Sequence, residues 1–126
     1  MSWNIGIFIE GAASLDVLAR DVSSLLDLKL KQTKFEGEPR YECSAEDFDL
    51  LLYANHGLDN DRDMNFEDFT YDLIFWRRNS SDRNKSQANT LEFAWLTYAK
   101  LKETRRYLLM LVEDTQKKLA SYNPIG

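Results

Sequence analysis

Residues 48–57, FDLLLYANHG, carry the signal that decides the fold. The first seven form an apolar run of strand length, and Asn55-His56-Gly57 has the composition of a turn that ends it. A run this apolar is typical of a strand inside a sheet. We therefore expect residues 48–54 to form a central β-strand.

Further strands are predicted on both sides of this run. Residues 3–10 and 69–78 alternate between two faces, which indicates strands buried on at least one side. Residues 28–35 begin by alternating leucines with lysines, a pattern typical of an edge strand. The turn residues 36–39 connect this segment to a return strand over residues 40–43. Connections as short as these favour antiparallel pairing.

Two amphipathic helices are predicted from apolar residues at helical spacing. Ser14 is a favourable N-cap for a helix over residues 15–27, because its hydroxyl can accept a free amide hydrogen of the first turn. Asn89 and Glu92 resemble a capping box that starts a helix over residues 90–121. That helix would be about 48 Å long, against a domain diameter of about 26 Å. It would therefore be kinked, protrude, or pack on a second chain as a homodimer.

Together these elements predict a single α+β domain over residues 1–126. The predicted order is β-α-β-β-β-β-α, a two-layer sandwich with two helices on one face of a mainly antiparallel sheet of four to five strands. Residues 79–87 contain no large apolar side chain, and a flexible loop is expected there, before the long C-terminal helix.

The composition is that of an ordinary globular protein, with 44% apolar and 29% charged residues in a chain of 126. Cys43 is the single cysteine, which excludes an intrachain disulfide and a zinc site built from several thiolates. The sequence starts without a basic leader and has no apolar run near the ~20 residues of a membrane span. We therefore expect a cytoplasmic protein without a cofactor and without a membrane partner.

Negative charge is concentrated in the middle of the chain. Residues 42–72 contain ten carboxylates and one base, Arg62, a net charge of −9, whereas the whole chain carries −5. A field of this sign repels nucleic acid and attracts basic protein surfaces. Like charges this dense also repel one another and cost stability, which favours a role in binding over mere solubility.

Two kinds of chemistry compete with protein binding in this segment. Asp59, Asp61 and Asp63 have the spacing of the first calcium ligands of an EF-hand, but Met64 stands where the loop needs glycine and Thr70 where it needs glutamate. The sequence therefore predicts no dedicated metal site, although an adventitious cation stays an alternative.

His56 is the only histidine and could act as a general base with a neighbouring carboxylate. A small enzyme or ligand-binding domain that uses His56 is therefore the second hypothesis, and it requires a pocket lined by this side chain. A structural protein that dimerises through the C-terminal helix is the third.

Apolar side chains alternate with the acids, which is how many tight protein interfaces are built. The predicted partner-binding acids are Glu46, Asp47, Asp49, Asp59, Asp61, Asp63, Glu67 and Asp68. The predicted apolar anchors among them are Tyr53, Met64 and Phe66.

The stretches DFDLLLYANHG, LDNDRDMNFEDF and TYDLIFWRR resemble the immunity proteins of bacterial polymorphic and contact-dependent toxin systems. These are small, acidic, cytosolic α+β proteins that bind and block a cognate toxin, often a basic nuclease. The resemblance implies a stoichiometric inhibitor without turnover. Its carboxylates would occupy the basic groove in which such a toxin holds phosphates.

Overall fold

The computed structural model describes residues 3–78 and 82–125. Within these residues the chain forms seven strands, two helices and one short 3₁₀ turn at Phe66–Asp68. The strands are β1 (Asn4–Glu10), β2 (Lys31–Phe35), β3 (Glu38–Ser44), β4 (Phe48–Ala54), β5 (Tyr71–Arg77), β6 (Leu108–Glu113) and β7 (Lys117–Tyr122). The helices are α1 (Leu15–Leu26) and α2 (Arg83–Glu103).

All seven described strands lie in one antiparallel sheet with the order β2-β3-β4-β5-β1-β6-β7. Strand β1 lies between β5 and β6, so that Ile7 faces Leu73 on one side and Leu111 on the other. The prediction of an α+β domain with an antiparallel sheet is confirmed. The predicted strand count of four to five is too low, because the C-terminal residues add a hairpin to the sheet.

The two helices pack on the same face of the sheet and close the main core. Ile5, Ile7 and Ile9 of β1 are buried there together with Leu18 of α1 and Ala94 of α2. The period of two along β1 and the helical period along α1 therefore bury their apolar sides against each other.

The helix predicted over residues 90–121 is wrong, because α2 ends at Glu103 and the hairpin β6–β7 follows. Leu109 and Leu111 are buried in the core under the helices, whereas Met110 is buried on the opposite face of the sheet. A run that is buried on both faces can match helical spacing by chance, which explains the wrong prediction.

The turn of this hairpin confirms that no helix can pass through it. Asp114 and Thr115 both have positive φ, at 53° and 54°, and the Gln116 amide donates to the Glu113 carbonyl oxygen at 3.0 Å. This is the backbone of a type I′ turn. The homodimer through residues 90–121 was predicted from a long helix. Because that helix is not formed, the prediction no longer has this basis.

Helix α2 also starts earlier than predicted, at Arg83, inside the segment expected to be a loop. The Asp82 side chain caps it by accepting a backbone amide hydrogen of the first turn at 3.0 Å. Ser86 is buried and donates to the Asp47 carbonyl oxygen at 3.1 Å, so a tertiary contact stabilises a helix in polar sequence. Residues 79–81 of the predicted loop lie outside the described residues.

Candidate functional site

The second face of the sheet is partly covered by the segment between β4 and β5, residues 55–70, here called the acidic plug. Its ends meet, since the Asn55 amide donates to the Thr70 carbonyl oxygen at 2.9 Å. Glu10, at the end of β1, accepts from the amide and the hydroxyl of Thr70 at 2.9 and 2.5 Å. A loop closed in this way is a compact Ω-type loop.

The underside of the acidic plug is a small hydrophobic core of its own. Met64, Phe66 and Phe69 are buried against Phe8, and the Phe8 and Phe66 rings lie 4.9 Å apart. Met64 is 1% exposed and Phe66 is 2% exposed, so the expectation that they are surface anchors does not fit the structure. The alternation of residues 63–67 turns apolar side chains inward and charges outward.

Hydrogen bonds fix the shape of the acidic plug. The Asn60 amide donates to the Glu67 carboxylate at 3.0 Å, and the Glu67 amide donates to the Asn60 side-chain oxygen at 2.9 Å. Asp61 and Met64 exchange two backbone hydrogen bonds of 2.9 and 2.8 Å. Lys118 of β7 donates to a carbonyl oxygen of the plug at 3.1 Å. The carboxylates therefore project from a backbone that is already ordered.

His56 is part of this framework. Its Nδ1 accepts from the Leu58 amide at 3.0 Å, and its Nε2 lies 2.8 Å from the Phe69 carbonyl oxygen, to which it donates in the neutral tautomer. Its ring also stands edge-on to Phe8, at 5.2 Å between centroids. Because both ring nitrogens bind the main chain, no nitrogen is left to act as a general base.

The outer surface of the plug carries exposed carboxylates. The exposed acids are Asp59, Asp61, Asp63, Glu67 and Asp68. In the part of the chain that the structure describes, two bases pair with them: Arg62, 3.5 Å from the Asp61 carboxylate, and Lys118, 3.9 Å from that of Asp63. Exposed pairs of this length are weak. Five carboxylates against two bases leave a negative surface.

The other predicted partner-binding acids lie at the opposite end of β4. Strand β4 is about 23 Å long at ~3.3 Å per residue, with Glu46 and Asp47 just before it, Asp49 near its start and the plug after its end. Asp47 accepts from the Asn89 side chain at 3.1 Å, and Asp49 pairs with Arg78 at 3.9 Å. Ser44 of β3 also donates to Asp49 at 2.8 Å. Asp47 and Asp49 are therefore engaged with α2 and β3, and the acidic segment does not form one continuous surface.

No metal centre is assembled in residues 3–78 or 82–125, where no three side chains of the ligating types come together. Asp59, Asp61 and Asp63 are exposed, and an isolated antiparallel bridge joins Asp61 to Met64. The arrangement offers negative charge to a partner but no enclosed cage of oxygens for a cation.

The uncovered part of the second face forms a groove of about 620 Å³, here called the aromatic groove. Its lining residues come from β4, β5 and the β2–β3 hairpin: Phe35, Pro39, Arg40, Leu51, Tyr53 and Trp76, with the acids Glu36 and Glu38. Asn55, the first residue of the acidic plug, also lines the groove. The plug and the groove therefore adjoin on the same face of the sheet.

A buried carboxyl lies beside the groove. Asp72 is 1% exposed, and its Oδ2 accepts from the Tyr53 hydroxyl at 3.1 Å. Burial raises the pKa of Asp72 to about 7, although the Tyr53 hydrogen bond works in the opposite direction. Asp72 Oδ1 has no hydrogen-bond partner among the described residues, and a Cβ atom added at Gly6 would lie 3.0 Å from it.

No protein-family model, no curated protein and no solved structure matches the chain. Among the described residues, neither helix combines the length and the apolar character that crossing a membrane requires. Function is therefore inferred from the chemistry of the plug and the groove.

Of the predicted anchors, Tyr53 alone lies in an open site, and it is half-buried there. The sequence prediction missed the rest of the aromatic groove, because its residues come from three separate segments. The signal that could have indicated it is the position of Leu51, Tyr53 and Trp76 on one face of two adjacent strands.

Proposed function

We propose that the protein is a stoichiometric, non-catalytic inhibitor of the immunity type, which binds a basic, nuclease-like toxin through the acidic plug. The observation that carries this proposal is that the exposed carboxylates of residues 59–68 project from a loop with a buried underside and internal hydrogen bonds. The proposed interface is the plug rather than the whole acidic segment.

The order of the plug supports tight binding. A loop that is already closed loses little conformational entropy when it binds, so a larger share of the contact energy appears as affinity. Its negative potential accelerates the encounter with a basic surface. Carboxylates in fixed positions can also occupy phosphate-binding sites of a nuclease, which would block nucleic acid without any turnover.

The field of the plug also makes nucleic acid an unsuitable ligand, because phosphates would meet like charge. A cytoplasmic location belongs to the same proposal, since an immunity protein protects the cell that makes it. The second hypothesis, an enzyme based on His56, gains no support, because the main chain occupies both ring nitrogens.

The test is binding to the C-terminal domain of the protein encoded directly upstream of this gene. We expect a 1:1 complex of nanomolar affinity by isothermal titration calorimetry, and loss of the domain's toxic activity at equimolar inhibitor. Charge reversal by Asp59→Lys, Asp61→Lys and Asp63→Lys together should weaken the complex at least about 100-fold.

The matched control is Glu46→Lys, Glu92→Lys and Glu103→Lys, which changes the net charge equally at exposed sites outside the plug. The control variant should bind nearly as well as the wild type. Equal losses in both variants, or no complex with the upstream domain, would contradict the proposal.

A further inference from the structure

The aromatic groove presents ring faces and edges that the fold leaves accessible. Phe35, on the edge strand β2, is 57% exposed, while Tyr53 and Trp76 are half-buried. The Arg40 guanidinium already lies over the Phe35 ring, 4.9 Å from its centroid. The contact between Arg40 and Phe35 shows that an aromatic ring of the groove can bind a cation on its face.

The charges around the groove favour a positive ligand. Glu36 and Glu38 line it, and Glu42 lies 3.4 Å from Arg40 and offsets its charge. An anionic ligand would meet the like charge of Glu36 and Glu38, and a purely apolar ligand would gain nothing from them.

The hydroxyl of Tyr53 points to the same class of ligand. It donates its only hydrogen to Asp72, so its oxygen can act only as an acceptor toward any group that enters the groove. A ligand that complements it must carry a donor. Lysine and arginine side chains carry donors and no acceptor, and their methylene stems suit the Leu51 side of the groove.

We propose that the aromatic groove binds a lysine or arginine side chain of the basic partner, next to the surface that docks on the acidic plug. This inference rests on the proposed function for the nature of the partner. The groove supplies a specific anchor and the plug supplies the long-range field. Half-buried aromatic pockets of this kind often carry much of the binding energy of an interface.

The test uses short peptides and the complete protein, so that it does not depend on the partner. Acetylated and amidated pentapeptides with a central lysine, arginine or glutamine between glycines are titrated into ¹⁵N-labelled protein. We expect saturable shifts of the Trp76 indole N–H and the Phe35 amide with the lysine and arginine peptides. The glutamine peptide should produce none.

Two variants locate the binding site. Phe35→Ala, at an exposed edge position, should weaken binding of the lysine peptide about three- to tenfold, as expected for a lost cation–π contact. Leu96→Ala, which is 49% exposed on α2, is the matched control and should not change it. Equal shifts with the glutamine peptide, no shifts in the groove, or equal weakening by both variants would overturn the inference.

A third variant separates this inference from the proposed function. Asp59→Asn, Asp61→Asn and Asp63→Asn together remove charge from the plug and should leave the groove shifts in place. Loss of those shifts would mean that the peptides bind the plug, which would overturn the groove site. A failure of the proposed function would appear elsewhere, as an absence of complex with the upstream domain.

Discussion

Asp72 shows how one buried side chain can couple stability to pH. The folded protein holds its proton up to about pH 7, whereas an unfolded aspartate titrates near 4. Because the pKa of Asp72 is higher in the folded state than in the unfolded state, its protonation stabilises the fold, and this stabilisation is fully present below about pH 4. It is lost as the pH rises through 7.

Asp72→Asn removes this titration while keeping an acceptor for the Tyr53 hydroxyl. We expect the stability of the wild type to fall relative to the variant by up to about 1.4 kcal/mol per pH unit between pH 4.5 and 6.5. Urea unfolding across this range measures the difference. Parallel pH profiles for the two proteins would show that Asp72 does not titrate in this way.

His56 illustrates a functional-looking residue whose role is structural. His56→Phe keeps an aromatic ring against Phe8 but leaves the Leu58 amide and the Phe69 carbonyl without their partners. We expect a loss of about 2–4 kcal/mol in unfolding free energy and faster hydrogen exchange at the Leu58 amide. Asp59→Asn, at an exposed position of the same loop, is the control and should stay within about 0.5 kcal/mol of the wild type.

Among the elements, those with a strong local signal could be predicted from the sequence. Ser14 caps α1 as expected, accepting from the Val17 amide at 3.2 Å, and β4 covers residues 48–54 as predicted. The C-terminal hairpin could not be predicted, because Leu108–Glu113 is buried on both faces and lacks the alternation that marks a strand.

A glycine substitution in the turn of this hairpin should change the stability of the protein in the opposite direction from the same substitution in a helix. Thr115 is a β-branched residue at φ 54°, so Thr115→Gly should stabilise the protein by about 0.5–1 kcal/mol. The same change in a helix would destabilise the protein by about 0.3 kcal/mol. Gln116→Gly, at a neighbouring position without positive φ, should be destabilising. Thermal unfolding of the two variants and the wild type measures both changes in stability.

The acidic plug is an element that sequence patterns describe only in part. Its exposed acids could be predicted from charge density, but the burial of Met64 and Phe66 depends on Phe8, a residue far away in the sequence. The separation of Glu46, Asp47 and Asp49 from the plug could have been inferred, because an extended strand must hold its two ends apart.

At the scale of the whole molecule, the two faces of the sheet are covered differently. The helices cover one face and form the main core with it, whereas the other face carries the acidic plug beside the aromatic groove. The sheet therefore holds the acidic plug and the aromatic groove side by side on one face. A basic partner that contacts both would be steered by the first and held by the second.

The salt dependence of association with the upstream domain tests this account most directly. We expect the stopped-flow association rate constant of the wild type to fall about tenfold or more between 50 and 500 mM NaCl, because salt screens the field of the plug. The variant with lysine at positions 59, 61 and 63 should associate slowly at low salt and respond little to salt. The Glu46, Glu92 and Glu103 control should follow the wild type. Identical salt slopes for the wild type and the plug variant would contradict the account.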